Sequence, residues 1–218
     1  MPKRMAVVVD YQNVHLTGTE LFLPGRPVEE GLVDPFRFAC QLAKARNDGS
    51  PPEHAVEVAR VEVFRGLPSD QDDARAYARN LAQRSEWMKG HHGVVEVTLR
   101  PLKYDYEYRD GARSIIRGSR REKGVDVLCA LALVRLARSG LFDVVVLASR
   151  DTDLAPALDE AAKQGSAKIE AAKWYEPSAP HTRGRLATEQ RIWTTSMRRE
   201  HFMDSLDQRD YTGVRASS

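Results

Sequence analysis

The chain has 218 residues, 42% hydrophobic and 29% charged, with 33 basic against 31 acidic side chains and a formal net charge of +2. That length supports one domain, or one domain with a tail, and the composition is that of a water-soluble globular protein. The near-neutral balance excludes binding of a polyanion by overall charge, so any such surface must come from local clustering. Apolar runs such as Met5–Val9 and Val144–Ala148 fall far short of the roughly 20 residues that span a membrane. The five apolar residues before Asp10 are too few for a secretory leader. Cys40 and Cys129 fall within expected helices without metal-ligand spacing. They read as reduced core residues, which points to the cytoplasm.

In chain order, Met5–Val9 is an apolar, β-branched run that predicts a buried strand ending at Asp10. Asp34-Pro35 opens a helix whose Phe36, Phe38, Ala39, Leu42 and Ala43 suit one buried face. Asn47–Glu53 is loop by composition, and Val56–Phe64 reads as a second strand. Asp70–Met88 predicts a charged, Ala-rich helix capped by Ser69 and broken at Gly90–Gly93. Val94–Leu99 is a third strand, and Asp110-Gly111 signals a hairpin within Lys103–Arg117. Gly124–Ser139 is a strongly apolar helix, Phe142–Ala148 a strand, Thr152–Gln164 a helix closed by Gly165, and Ala167–Ala172 a further strand. A helix over Leu186–Met197 is expected, with disorder beyond Tyr211. Strands alternating with helices imply an α/β, three-layer, Rossmann-like sandwich around a mostly parallel central sheet. Residues 1–175 form the domain on this reading, and 176–218 a C-terminal extension.

Open parallel sheets bind ligands beyond the carboxyl ends of their strands. Asp10 follows the first strand, and Asp151 and Asp153 follow Val144–Ala148. Asp126 lies in the first turn of the helix after Lys123-Gly124, and shares that crevice if the helix packs on the first strand. Carboxylates so gathered repel one another, so some protonate or a divalent cation neutralises them. Oxygen-only ligands suit Mg²⁺ or Mn²⁺, and no neighbouring His or Cys suggests zinc. Each residue also has a plainer reading: Asp10 in a turn, Asp151 and Asp153 as helix caps, Asp126 as a first-turn charge. Their coincidence on one sheet edge favours a site.

Between Arg109 and Lys123, six basic residues (Arg109, Arg113, Arg117, Arg120, Arg121, Lys123) stand against Asp110 and Glu122, just after Tyr104, Tyr106 and Tyr108. Arginines neutralise phosphates and aromatic faces stack on unpaired bases. A solvated hairpin, or tyrosines on a strand face packed on the core, fits the same pattern. Arg183 and Arg185 form a weaker second cluster. His91 and His92 read as ordinary loop histidines, and Trp87, Trp174 and Trp193 as packing residues.

VVVDYQNVH at 7–15, Lys123-Gly124-Val125-Asp126-Val127, and Phe142-Asp143 followed by VVVLASRDTDLAPAL resemble the motifs of the NYN family of PIN-like nucleases. They do so in the family's order, from Val7 to about Trp174. The resemblance implies an endoribonuclease that hydrolyses RNA with Mg²⁺ or Mn²⁺, leaving 5′-phosphate and 3′-hydroxyl ends. It implies metal ligation by Asp10, Asp126, Asp151 and Asp153, directly or through water. Asn13 and Ser149 would hydrogen-bond water, phosphate or a ligating carboxylate, the plainer readings being a turn residue and a helix cap. RNA, single-stranded or with exposed loops, would lie along Arg113, Arg117, Arg120, Arg121, Lys123 and Arg150. A homodimer is compatible with this reading, and no membrane partner is expected.

Two positions depart from the family pattern: Ala132 stands where an acidic residue is common, and Arg150 where glycine is usual. They favour the alternative, a catalytically weak or inactive RNA- or protein-binding module on the same fold. A haloacid-dehalogenase-like phosphohydrolase would need a second Asp two residues after the first, where Gln12 stands.

Overall fold

The computed structural model describes residues 1–109, 112–116, 119–211 and 213. The first strand, β1 (Lys3–Asp10), is buried from Met5 onward, which is why its apolar run is continuous rather than alternating. A helix absent from the sequence reading follows at once: α1 (Tyr11–Phe22) buries Tyr11, Val14, Gly18 and Phe22 at helical spacing. Next comes α2 (Pro35–Asp48), capped by Asp34, whose Oδ1 accepts the Phe36 and Arg37 N–H groups at 3.0 Å. Cys40 lies on its exposed face, not in the core. The chain then forms β2 (Val56–Leu67) and α3 (Ala74–Met88).

The expected helix start at Asp70 is four residues early. Ser69 instead accepts the Asp72 N–H in a preceding turn, and Asp73 caps the helix through the Ala76 N–H at 3.1 Å. Asp70, Asp72 and Asp73 offer the backbone local alternatives to helix, which delays it. The hairpin comprises β4 (Tyr106–Arg109) and β5 (Ala112–Ile115), after β3 (Val95–Pro101). Its Asp110-Gly111 turn and Arg117 lie outside the described residues. The second half runs α4 (Val125–Arg138), β6 (Val144–Ala148), a 3₁₀ turn (Thr152–Leu154), α5 (Ala155–Gln164), β7 (Lys168–Trp174), β8 (Trp193–Met197) and α6 (Arg199–Asp204).

The expected helix over Leu186–Met197 is overturned. Trp193–Met197 pairs in parallel with β7, from Glu170 opposite Trp193 to Trp174 opposite Met197. Its Thr194-Thr195 is β-branched, and burial rises at alternate residues, Thr195 and Met197, as an edge strand requires. Of the residues beyond Tyr211, for which disorder is expected, only Gly213 is described.

The six-stranded sheet has the order β3-β2-β1-β6-β7-β8, and every neighbouring pair is parallel. Alternate residues of β1 serve opposite layers. Met5, Val7 and Val9 pack with residues of α1, α2 and α3, while Ala6 and Val8 pack with residues of α4 and α5. The chain goes one way from β1 to β2 and β3, then returns to the other side at β6. The gap between the carboxyl ends of β1 and β6 is therefore the topological switch point, where open α/β sheets bind ligands. No helix among the described residues is long and apolar enough to cross a membrane.

One buried ion pair fastens α2 to β7. Arg46 holds Glu170 bidentately at 2.8 and 3.0 Å, with 3% and 0% side-chain exposure, and donates its Nη1 to the His54 carbonyl at 2.7 Å. Lys168 adds a second cation to Glu170 at 2.9 Å. Removing one partner of such a pair strands a buried charge and costs about 3–5 kcal/mol, whereas an apolar replacement of both is far milder. Arg46→Met should accordingly lower the urea unfolding free energy by about 3–5 kcal/mol. The double variant Arg46→Met/Glu170→Leu should recover most of it. Equal losses in the single and double variants would refute this.

Candidate functional site

Asp10 ends β1 and caps α1, so one residue belongs to both elements. Its carboxylate is 9% exposed. Oδ1 accepts the Asn13 N–H at 3.3 Å, and Oδ2 accepts the Ser149 hydroxyl at 2.8 Å. Burial raises the Asp10 pKa above its ordinary value; the Ser149 and Asn13 bonds oppose this, and the charges of Asp151 and Asp126 add to it. The Ser149 oxygen also accepts the Asp151 N–H at 3.0 Å, so this 3%-exposed hydroxyl is fully occupied in linking two carboxylate-bearing residues. Asp151 in turn caps the 3₁₀ turn, its Oδ1 accepting the Asp153 N–H at 3.0 Å.

Asp10, Asp126 and Asp151 line one open crevice of about 540 Å³, together with Gln12, Asn13, Lys123 and Glu122. Glu122 is the acidic residue that the sequence reading missed, having counted it only as a negative charge within a basic run. Its Oε1 accepts the Gly66 N–H at 2.6 Å. With its side-chain amide turned, Gln12 donates to the same carboxylate at 2.9 and 3.2 Å. Burial raises the Glu122 pKa; the Gly66 bond counters this, and the Asp10 charge raises it further. A Cβ on Gly66 would stand 2.7 Å from Glu122 Oε1 and 2.2 Å from Leu102 Cδ2, so only glycine admits this approach. The signal available in the sequence was position, since Glu122 directly precedes Lys123-Gly124-Val125-Asp126-Val127.

Asp126 enters through the left-handed Gly124 (φ 79°), which turns the chain into α4. Arg100 braces that turn by donating Nε to the Lys123 carbonyl at 2.7 Å. Asp153 is exposed and does not line the crevice. The buried Cys129 thiol lies beneath the group: burial raises its pKa, and the charges of Asp10, Glu122, Asp126 and Asp151 all act in the same direction. It is thereby kept protonated and is no rival ligand. Ala132 is buried among Cys129, Leu133 and Leu136, in the apolar layer beneath the sheet.

Among the described residues, no three His, Cys, Asp or Glu side chains are placed so that together they could hold a metal ion. The donor chemistry is nonetheless that of a hard cation, with several carboxylates, no available thiolate and like-charge repulsion to relieve.

The basic residues disperse. Arg113 stacks 3.8 Å from the Tyr106 ring centroid and pairs with Asp72 at 3.6 Å. Arg121 is committed to Asp105 through two bonds of 2.6 and 2.7 Å. Arg150 gives its N–H to Asn13 Oδ1 at 3.1 Å, while its guanidinium donates to the His181 carbonyl. Lys123 lines the acidic crevice, and Arg120 lines the cavity beside it. Arg183 and Arg185 are exposed.

The tyrosines divide as well. Tyr104 accepts the Ser69 N–H at 3.1 Å, and Tyr106 donates to Asp72 at 3.1 Å; Tyr108 is exposed. His91 stacks on Phe36 at 3.9 Å, a packing contact.

The neighbouring cavity is lined in part by the buried His15, which bonds the Val28 carbonyl through Nε2 at 2.8 Å. Burial lowers its pKa from 6.5 to about 4, against the Val28 bond and aided by the Arg65 charge. The folded state thus holds His15 neutral, and the unfolded chain takes up the extra proton between pH 6.5 and about 4. Stability from this group is full above that window and is lost as pH falls through it. Urea titrations at stepped pH should show this slope in the wild type and its reduction in His15→Gln. Identical slopes would contradict the assignment.

The family model described as NYN domain matches residues 4–182. No curated protein matches the chain. A crystal structure of a protein of unknown function from Vibrio parahaemolyticus is similar at 17% identity, covering 90% of this chain and 93% of that one, with a TM-score of 0.47. The family match runs from β1 past β7 and takes in all the crevice carboxylates; this chain belongs to the NYN domain family, whose members are generally nuclease-like.

Proposed function

We propose that the chain is a metal-dependent endoribonuclease whose reacting centre is the crevice of Asp10, Glu122, Asp126 and Asp151. The observation that carries this reading is a buried carboxylate at the end of the central strand, with the charges of two further aspartates acting on it. Mg²⁺ and Mn²⁺ fit such oxygens, and Mg²⁺ in particular is commonly held by one or two carboxylates, with water and substrate phosphate completing its shell. An open set of ligands suits that mode. When bound, the ion would supply positive charge to a phosphodiester and acidify a water.

The chain's own groups do the rest. Asp10 is fixed at both oxygens by Ser149 and the Asn13 N–H, so it need not reorganise during reaction. Ser149 is a positioning residue, since its hydroxyl is spent within the protein. Asp151 would help hold the ion, and Asp153, outside the crevice lining, steadies it by donating its N–H to Asp151 Oδ1. Asn13 Oδ1 is occupied by the Arg150 N–H, leaving its amide N–H groups for a phosphate oxygen. Lys123, on the crevice wall, offsets phosphate charge. Arg120 supplies a phosphate contact further along the RNA, Arg113 and Arg121 being held by Asp72 and Asp105, while Arg150 braces the loop at His181.

A second reading is a catalytically weak or inactive RNA- or protein-binding module. It is favoured by the lack, among the described residues, of any three His, Cys, Asp or Glu side chains placed to hold a metal ion, and by Ala132 in the apolar layer.

Asp10→Asn and Asp151→Asn should each reduce Mn²⁺- or Mg²⁺-dependent cleavage of single-stranded RNA by about 100-fold or more. Glu122→Gln should cost about 10- to 100-fold. Wild-type rates in both aspartate variants would overturn the nuclease reading. RNA binding without metal-dependent turnover in the wild type would select the second.

A further inference from the structure

Beside the acidic crevice, sharing Gln12, Leu16 and Glu122 with it, lies a second cavity of about 540 Å³. That is within the roughly 300–1,000 Å³ of small-molecule sites. Arg65, Arg79 and Arg120 all line it. The charges of Arg79 and Arg120 both act on Arg65, and those of Arg65 and Arg120 both act on Glu122. Arg65 is held against the rings of Tyr11 and Trp87, at 4.8 and 5.6 Å, and donates to Gln83 Oε1 at 2.6 Å. Glu122, on the shared wall, is a carboxylate whose charge acts back on Arg65.

The other basic residues of the cavity are neutralised, Arg121 by Asp105 and Arg209 by Asp34 and Asp207. Glu29, Glu30 and Asp210 also line it, with Glu30 committed to Arg26 at 2.6 Å. Three like charges beside one hollow repel each other, and a phosphate is the ligand that relieves them.

The cavity also offers surface to a base. Leu16, Pro68 and Leu102 supply apolar wall for a ring.

We propose that this cavity seats an unpaired nucleotide of the RNA, its phosphate among Arg65, Arg79 and Arg120 and its base against Leu16, Pro68 and Leu102. The proposal rests on the nuclease reading of the crevice, because Gln12 and Glu122 form the wall between the two and a strand leaving one can enter the other. An internal phosphate and a 5′-terminal one present the same kind of oxygens to the guanidinium groups. A base-paired nucleotide would not fit, so the site selects single-stranded RNA or ends and loops.

The test is binding by the full chain, with chelator present and no divalent ion. The probes are adenosine monophosphate and a four-nucleotide RNA bearing either a 5′-phosphate or a 5′-hydroxyl. Arg79→Gln and Arg120→Gln should each weaken RNA binding about tenfold, the effect of one charge-assisted hydrogen bond. Arg75→Gln, on the exposed side of α3 and outside the cavity, should leave it unchanged. Equal affinity for the two RNA ends assigns an internal phosphate, and strong preference for the 5′-phosphate assigns a terminal one; either supports the proposal when the arginine variants weaken it. Wild-type affinity in both arginine variants overturns it. If those variants also cleave like wild type while Asp10→Asn does not cleave, the cavity proposal fails and the nuclease reading stands. If they lose RNA binding but no metal-dependent cleavage occurs in any form, the nuclease reading fails and the cavity stands.

Discussion

The two oxygens of one carboxylate hold the centre of this structure together. Asp10 Oδ1 caps α1 through Asn13, and Oδ2 reaches across the sheet to Ser149 just beyond β6. The Ser149 oxygen then takes the Asp151 N–H, so the ends of β1 and β6, the start of α1 and the 3₁₀ turn are joined by three bonds. A negative charge at the start of α1 gains from the partial positive charge of the helix N-terminus, which offsets part of the cost of burying it. The arrangement exists only because the strand order reverses between β1 and β6, opening a gap that a simple run of neighbouring crossovers would close.

Glu122 occupies the wall between two electrostatically opposite hollows. On one side the charge of Asp10 acts on it, and on the other the charges of Arg65 and Arg120. Gly66 makes that position possible by offering an N–H where any side chain would collide. The carboxylate is therefore positioned from β2, and its place near the crevice depends on a glycine 56 residues earlier in the chain.

The parts of the fold legible in the sequence were those under the simplest physical constraint. Met5–Val9 and Val144–Ala148 are covered on both faces, and a doubly covered strand must be apolar throughout. Trp193–Met197 pairs on one side only and is half open to solvent, so its polar threonines and serine left no strand-like run to read. In α1 the polar Gln12, Asn13 and Thr17 mask a helix whose buried positions are spaced correctly. The aspartates at 10, 126 and 151 were legible because each follows a strand or opens a helix in a recognisable motif. Glu122 and Arg65 were not, because their meaning comes from partners far away in sequence: Gly66 and Gln12 for one, Tyr11, Gln83 and Trp87 for the other. Net charge over a segment cannot separate Arg121, tied to Asp105, from Arg120, which lines the cavity and acts on Glu122.

The position of β1 in the sheet also sets a timetable for synthesis. Of the described strands β1 is made before the others, yet it is flanked by β2 and β6, and its pairing with β6 joins Met5 to Val144 and Val9 to Ala148. No arrangement of the first hundred or so residues can complete that layer, because contacts so distant along the chain form only after the intervening polypeptide exists. The apolar face of β1 must wait until β6 has been made, and the sheet is finished only when Trp193–Met197 is laid against β7. Such a topology leaves an unpaired edge on the strand whose last residue, Asp10, anchors the crevice.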